Sequence, residues 1–162
     1  MSNQHRLGQH YSNEEELSIP YEKILKEKKD KIIIDPFVGE GHLLDYYLSL
    51  LTVEEAKTKL LNNKIMGFDI HQENIDFVIN KYSKKYNIDI QILKNSFKQR
   101  DSLLDNTIPE ETFIFTNPPY LAKNVCKKNY KEDFTKYFER KYKQCNDYFE
   151  IAINLYSQVS GI

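Results

Sequence analysis

With 162 residues, 40% hydrophobic and 13% aromatic, the chain carries the apolar content of one globular domain rather than of a disordered segment. Its 23 Lys and Arg against 24 Asp and Glu leave a net charge of -1, which argues against tight nucleic-acid binding by overall basic charge but not against a local basic patch. No run approaches membrane-spanning length, the polar start "MSNQHRLGQHYS" has no apolar signal core, and Cys126 and Cys145 have no metal-ligand spacing, so a cytoplasmic protein with two free thiols and no bound metal is expected.

Taken in chain order, residues 13–28 have a helical pattern through Leu17, Tyr21, Ile24 and Leu25, which Pro20 either splits or opens as the true first turn. "KIIID" (31–35) is a short, wholly apolar run, as expected of a parallel strand covered on both faces. A glycine-containing loop follows, then apolar helices over 42–51 and 53–61. "KIMGFDI" (64–70) reads as the next strand, and 73–86 as an amphipathic helix through Ile75, Val78, Ile79 and Tyr82. "IDIQIL" (88–93) alternates like a third strand and "TFIFT" (112–116) like a fourth. From 130 onward the pattern is helical. Strands alternating with helices predict a Rossmann-like, doubly wound, mainly parallel α/β sheet of about four strands.

In such a sheet ligands bind at the carboxyl ends of the strands, so the four strand ends carry the functional reading. The first is "DPFVGEGHLL", where Gly39 and Gly41 permit a tight turn and bring bare backbone near a ligand at a helix amino terminus. A lone G-x-G is equally a structural turn, and no phosphate-cradling P-loop is present. The second is "GFDI". Asp69, one strand after the glycine loop, is placed to accept ribose hydroxyls, although by itself it reads as an N-cap or an exposed loop carboxylate. The third leads into "KNSFKQRDSLLD", which offers a polar side chain and an aromatic for an adenine. The fourth is "NPPY", whose two prolines end the strand and fix the backbone.

This ordered set resembles the class I S-adenosylmethionine-dependent methyltransferases, and within them the gamma-type amino-group DNA adenine methyltransferases. "RLGQHYS", with Gln9 and Tyr11, resembles the amino-terminal motif of the cofactor pocket. "DPFVGEG", with Asp35, Pro36, Gly39 and Gly41, resembles the glycine loop, and Asp69 and Ile70 match the ribose-binding position. "TNPPYLAKN" resembles the catalytic motif through Asn117, Pro118, Pro119 and Tyr120. For the third strand end, geometry favours Ser96 and Phe97, directly after the expected strand, with Asp101 as the rival contact to the cofactor adenine.

The chemistry explains the residue types. The lone pair of an adenine amine is conjugated into the ring. The Asn117 amide oxygen and the Pro118 carbonyl can each accept one amino hydrogen and aim the nitrogen at the methyl donor. Tyr120 would stack on the base once it has left the duplex. The implied activity is methyl transfer from S-adenosylmethionine to adenine in DNA, of the restriction-modification type. Alternatives are RNA adenine or protein glutamine as the acceptor, or an inactive remnant or partner subunit. Glu40 and His42 read as surface and helix-start residues, and the lysines at 123, 127, 128 and 131 as a solvated stretch.

The resemblance implies residues 1–30 as an amino-terminal helical segment carrying the cofactor-pocket motif and 31–162 as a partial methyltransferase catalytic domain. Three further strands and a target-recognition region of the family are absent from this sequence. A truncated or split form is therefore expected, with a second chain supplying the rest. Alone, it is expected to be marginally stable, to self-associate through an exposed fourth strand, and to methylate no specific DNA site.

Overall fold

The structure, a computed structural model, describes residues 20–118. The chain divides into two compact units, Tyr11–Asn117 and Met1–His10 with Pro118–Ile162, and the elements described all belong to the first. Gln9, Tyr11, Pro119, Tyr120, both cysteines, the lysines after the NPPY motif and the helix expected from 130 onward lie outside the described residues.

Helix α1 (Pro20–Glu27) opens on the proline, whose fixed φ and missing N–H suit the first helical position. Its Leu25 is buried in the main core. Strand β1 (Ile32–Asp35) follows, with Ile33, Ile34 and Asp35 all buried, as a central strand requires. Helix α2 (His42–Ser49) presents Leu43, Leu44, Tyr47 and Leu48 to the core. Helix α3 (Val53–Leu61) begins with a capping box. Thr52 Oγ1 accepts from Glu55 N, and the Glu55 carboxylate accepts from Thr52 N. Strand β2 (Ile65–Asp69) leads to helix α4 (Gln72–Tyr86), whose buried Ile75, Val78, Ile79, Tyr82 and Tyr86 form one helical stripe. Asn87 ends α4 in the left-handed conformation at φ 51°.

The next segment departs from the sequence reading. "IDIQIL" is not the third strand: Ile90–Leu93 form the one-turn helix α5. The reason is Asp89, whose carboxylate accepts from Gln91 N at 2.7 Å and caps the turn. Ile90 and Ile92 lie partly buried, and Ile88 and Leu93 join the core as α5 packs on α3 and α4. The third strand is instead β3 (Phe97–Gln99), with only Phe97 buried. It is an edge strand, short and carrying a lysine, as exposed edges commonly are.

Strand β4 (Thr112–Ile114) completes a four-stranded parallel sheet in the order β3-β2-β1-β4. The pairings align Ile33 with Ile65 and Phe113, and Gly67 with Phe97. The α/β doubly wound expectation holds, and the fourth strand lies beside the first. Strand order reverses between β1 and β4, so the crevice at their carboxyl ends is where this architecture receives ligands.

Candidate active site at the strand ends

The β1–α2 loop is pinned to the end of β2. Val38 N donates to Phe68 O at 2.8 Å, and Gly39 N donates to Asp69 Oδ2 at 3.0 Å. Gly39 and Gly41 have φ of 51° and 84°, a region that disfavours residues with a Cβ. At Gly41 a Cβ would also stand 3.2 Å from Lys81 Nζ, Tyr82 Oη and Val78 Cγ2. Lys81 reaches from α4 to donate to the Glu40 carbonyl and, at 2.6 Å, to Asp45 Oδ2. Gly41 is the N-cap of α2 and supplies no side-chain cap, so the first turn of that helix faces the loop with backbone N–H groups. Pro36 is buried beside Asp35 in this loop.

Asp69 is 6% exposed and far from the free loop carboxylate it could have been. One oxygen accepts from Gly39 N and the other from His71 N at 2.8 Å, and the Asn74 side chain adds a third bond. Burial raises its pKa, and these three donors oppose the rise. A carboxylate has about four acceptor positions, so room for a further hydroxyl donor remains. Ile70, the next residue, is exposed.

At β3 the corrected strand reverses the geometric preference. Ser96 precedes the strand, is fully buried, and donates to Asn63 Oδ1 at 2.7 Å, toward the amino end of the sheet. Phe97 is core, 5.5 Å edge-on from Tyr82. Neither stands at a carboxyl strand end, because the strand that would have put them there is helix α5. Asp101 does, two residues past Gln99. Its carboxylate accepts from Leu103 N at 3.0 Å, and burial raises its pKa. Between them, Arg100 N donates to Asp69 O at 2.8 Å, and the Arg100 guanidinium stacks on Phe68 with its central carbon 3.5 Å from the ring centroid.

Beyond β4, Phe115 N donates to Ile34 O at 2.9 Å. Thr116 Oγ1 then donates to Asp35 Oδ1 at 2.6 Å, and Phe37 N donates to the same oxygen at 3.0 Å. Asp35 is 1% exposed, and burial pushes its pKa up to about 7, with the Thr116 and Phe37 bonds opposing and Asp69 adding to the rise. Asn117 follows at once and is half-buried.

The carboxyl edge of the sheet thus gathers Asp101, Asp69 and Asp35 at adjacent strand ends, with Asn117 after the fourth. Sequence reasoning named all four but missed their supports. Thr116 stood inside the quoted motif and read only as a strand residue, and Lys81 was one polar position on an amphipathic helix. A model of one family, described as N-6 DNA methylase, matches residues 2–157. No curated protein matches the chain.

Proposed function

The chain belongs to the N-6 DNA methylase family, enzymes that methylate adenine in DNA, and on that footing we propose that it takes the methyl group from S-adenosylmethionine and that the strand-end residues form its cofactor and catalytic site. One observation carries the reading: Asp101, Asp69, Asp35 and Asn117 end or follow four adjacent parallel strands, on the ligand-binding edge of a doubly wound sheet.

The residues fit the proposed cofactor. It supplies an electrophilic methyl on a sulfonium and carries an ammonium as well, so it is cationic where the carboxyls of Asp35, Asp69 and the half-buried Asp101 lie. Each of those carboxyls has its pKa raised by burial, and a nearby positive charge favours its ionised form. The amino terminus of α2 behind Gly41 offers N–H groups to a carboxylate. Asp69 accepts from ribose hydroxyls, Ile70 gives an apolar surface to the adenine, and Asp101, rather than Ser96 or Phe97, meets the adenine amine. Asn117 and the Pro118 carbonyl hold the target amine, Pro119 stiffens the turn and Tyr120 stacks on the base. The roles of Gln9, Tyr11, Pro119 and Tyr120 are proposed from sequence alone.

Donor labelled on the methyl group, offered with DNA, RNA and a release-factor protein, tests the reading. Label recovered as N6-methyladenine from DNA is expected. Label in RNA or in protein glutamine, or none from a chain that binds the donor, contradicts it.

A further inference from the structure

The hydrogen bond between Asp35 and Thr116 spans the point where strand order reverses. On one side, Asp35 Oδ1 accepts from Phe37 N at the start of the glycine loop. On the other, it accepts from the hydroxyl of the residue directly before Asn117. A backbone bond from Phe115 N to Ile34 O joins the β4 segment to β1. One residue on, the Thr116 side chain also ties the chain entering the NPPY motif to β1. At 2.6 Å the bond has the length of an O–H donor on an ionised carboxylate.

We propose that Asp35, acting through Thr116, is a positioning residue that sets Asn117 for the amine and couples it to the glycine loop. This rests on the reading of Asn117 as the group that holds the amine. Asp35 touches no reacting atom. It shares one oxygen between the loop that faces the cofactor and the residue that leads into the catalytic motif, so a shift in either partner is felt by the other.

Protonation is the natural probe of this coupling, because burial holds the Asp35 midpoint near neutrality. Among the described residues, two titratable groups interact with it electrostatically: Asp69 at the end of β2 and Tyr82 on α4. Tyr82 is pushed well up by burial and stays neutral, and Asp69 is raised by burial against the bonds it accepts from His71, Asn74 and Gly39. When Asp35 takes up a proton, its bond to Thr116 falls from a charge-assisted to an ordinary one. Asn117 then loses its fixed approach, and displacements of about 1 Å at a reacting centre cost on the order of 100-fold in rate.

The experiment is a pH titration of the full chain by NMR, reading the Asp35 carboxyl carbon and the Asn117 side-chain amide, in wild type, Thr116→Val and Thr116→Ser. In wild type and Thr116→Ser the Asn117 amide should follow the Asp35 midpoint near 7. In Thr116→Val the midpoint should rise, since a bond to the ionised form is gone, and the Asn117 amide should stop responding. Methyl transfer to DNA adenine, measured beside it, should rise with pH through the same midpoint and lose that limb in Thr116→Val, with turnover down about 10- to 100-fold and donor affinity nearly kept. A wild-type Asn117 amide blind to Asp35, or a Thr116→Val midpoint equal to wild type, overturns the proposal. Should the valine variant not fold, the wild-type response and its retention in the serine variant decide. If wild type transfers no methyl while the amide still follows Asp35, the functional reading fails and the coupling stands.

Discussion

A methyl group at Gly67 would meet Val38 Cγ2 at 2.9 Å and Phe97 Cδ1 at 3.0 Å, which makes this position a probe of how closely the glycine loop rests on β2. Gly67→Ala must push Val38 or Phe97 aside, and overpacking of this kind costs about 1–3 kcal/mol. Urea unfolding should show that loss as a lower midpoint, and an unchanged midpoint would mean the loop yields freely. Asn117 is tested by a different readout. With Asn117→Ala, turnover should fall roughly 100-fold or more, the scale of losing an oriented polar group at a reacting centre. Donor binding should survive, because the strand-end carboxyls are untouched. A variant that kept most of its rate would refute the role given to the amide. At this scale the sequence was informative about identity and poor about support. Asp35, Asp69 and Asn117 stand out by residue type and order. The partners Thr116, Asn74 and Lys81 are ordinary polar residues whose roles exist only once distant segments meet.

Among the elements, those with a strong local signal were legible. Proline at the start of α1, the Thr52–Glu55 box of α3 and the long apolar stripe of α4 each state their structure within one or two turns of sequence. The failure at 88–93 has a local cause as well. A short alternating apolar run suits a strand or a buried helical turn equally, and the deciding residue was Asp89, which caps instead of pairing. The true β3 was hidden because an edge strand needs only one buried side chain, here Phe97, and "FKQ" has no strand pattern to show. That one displaced strand puts Asp101, rather than Ser96, past the carboxyl end of the third strand. Asp89→Ala should therefore destabilise by about 1 kcal/mol, the usual value of an N-cap, with α5 frayed. Faster amide exchange at Gln91 and the residues after it would register the fraying, and unchanged protection there would assign the turn to packing alone.

For the molecule as a whole, two buried acids and a half-buried one at one edge of the sheet give stability a definite dependence on pH. Asp35, Asp69 and Asp101 all have folded-state pKa values raised by burial. For Asp35, between the ordinary carboxylate range and about 7, the folded chain holds a proton that the unfolded chain has released, and Asp69 and Asp101 act in the same direction. The Asp35 contribution to stability is therefore full in acid and lost as pH rises through that window. Melting at pH 5 and pH 8 should show wild type losing more stability on the alkaline side than Asp35→Asn, by up to a few kcal/mol. Equal losses would place Asp35 in a wetter setting than its burial indicates. The same acids are the core of the cofactor reading, and calorimetric titration with S-adenosylmethionine tests that reading most directly. Wild type and Asn117→Ala should bind alike, while Asp69→Ala, deprived of the carboxylate that accepts from Gly39 and is proposed to accept from the ribose, should bind more weakly by about 1–3 kcal/mol. No binding by the intact chain, or equal binding by Asp69→Ala, would contradict it.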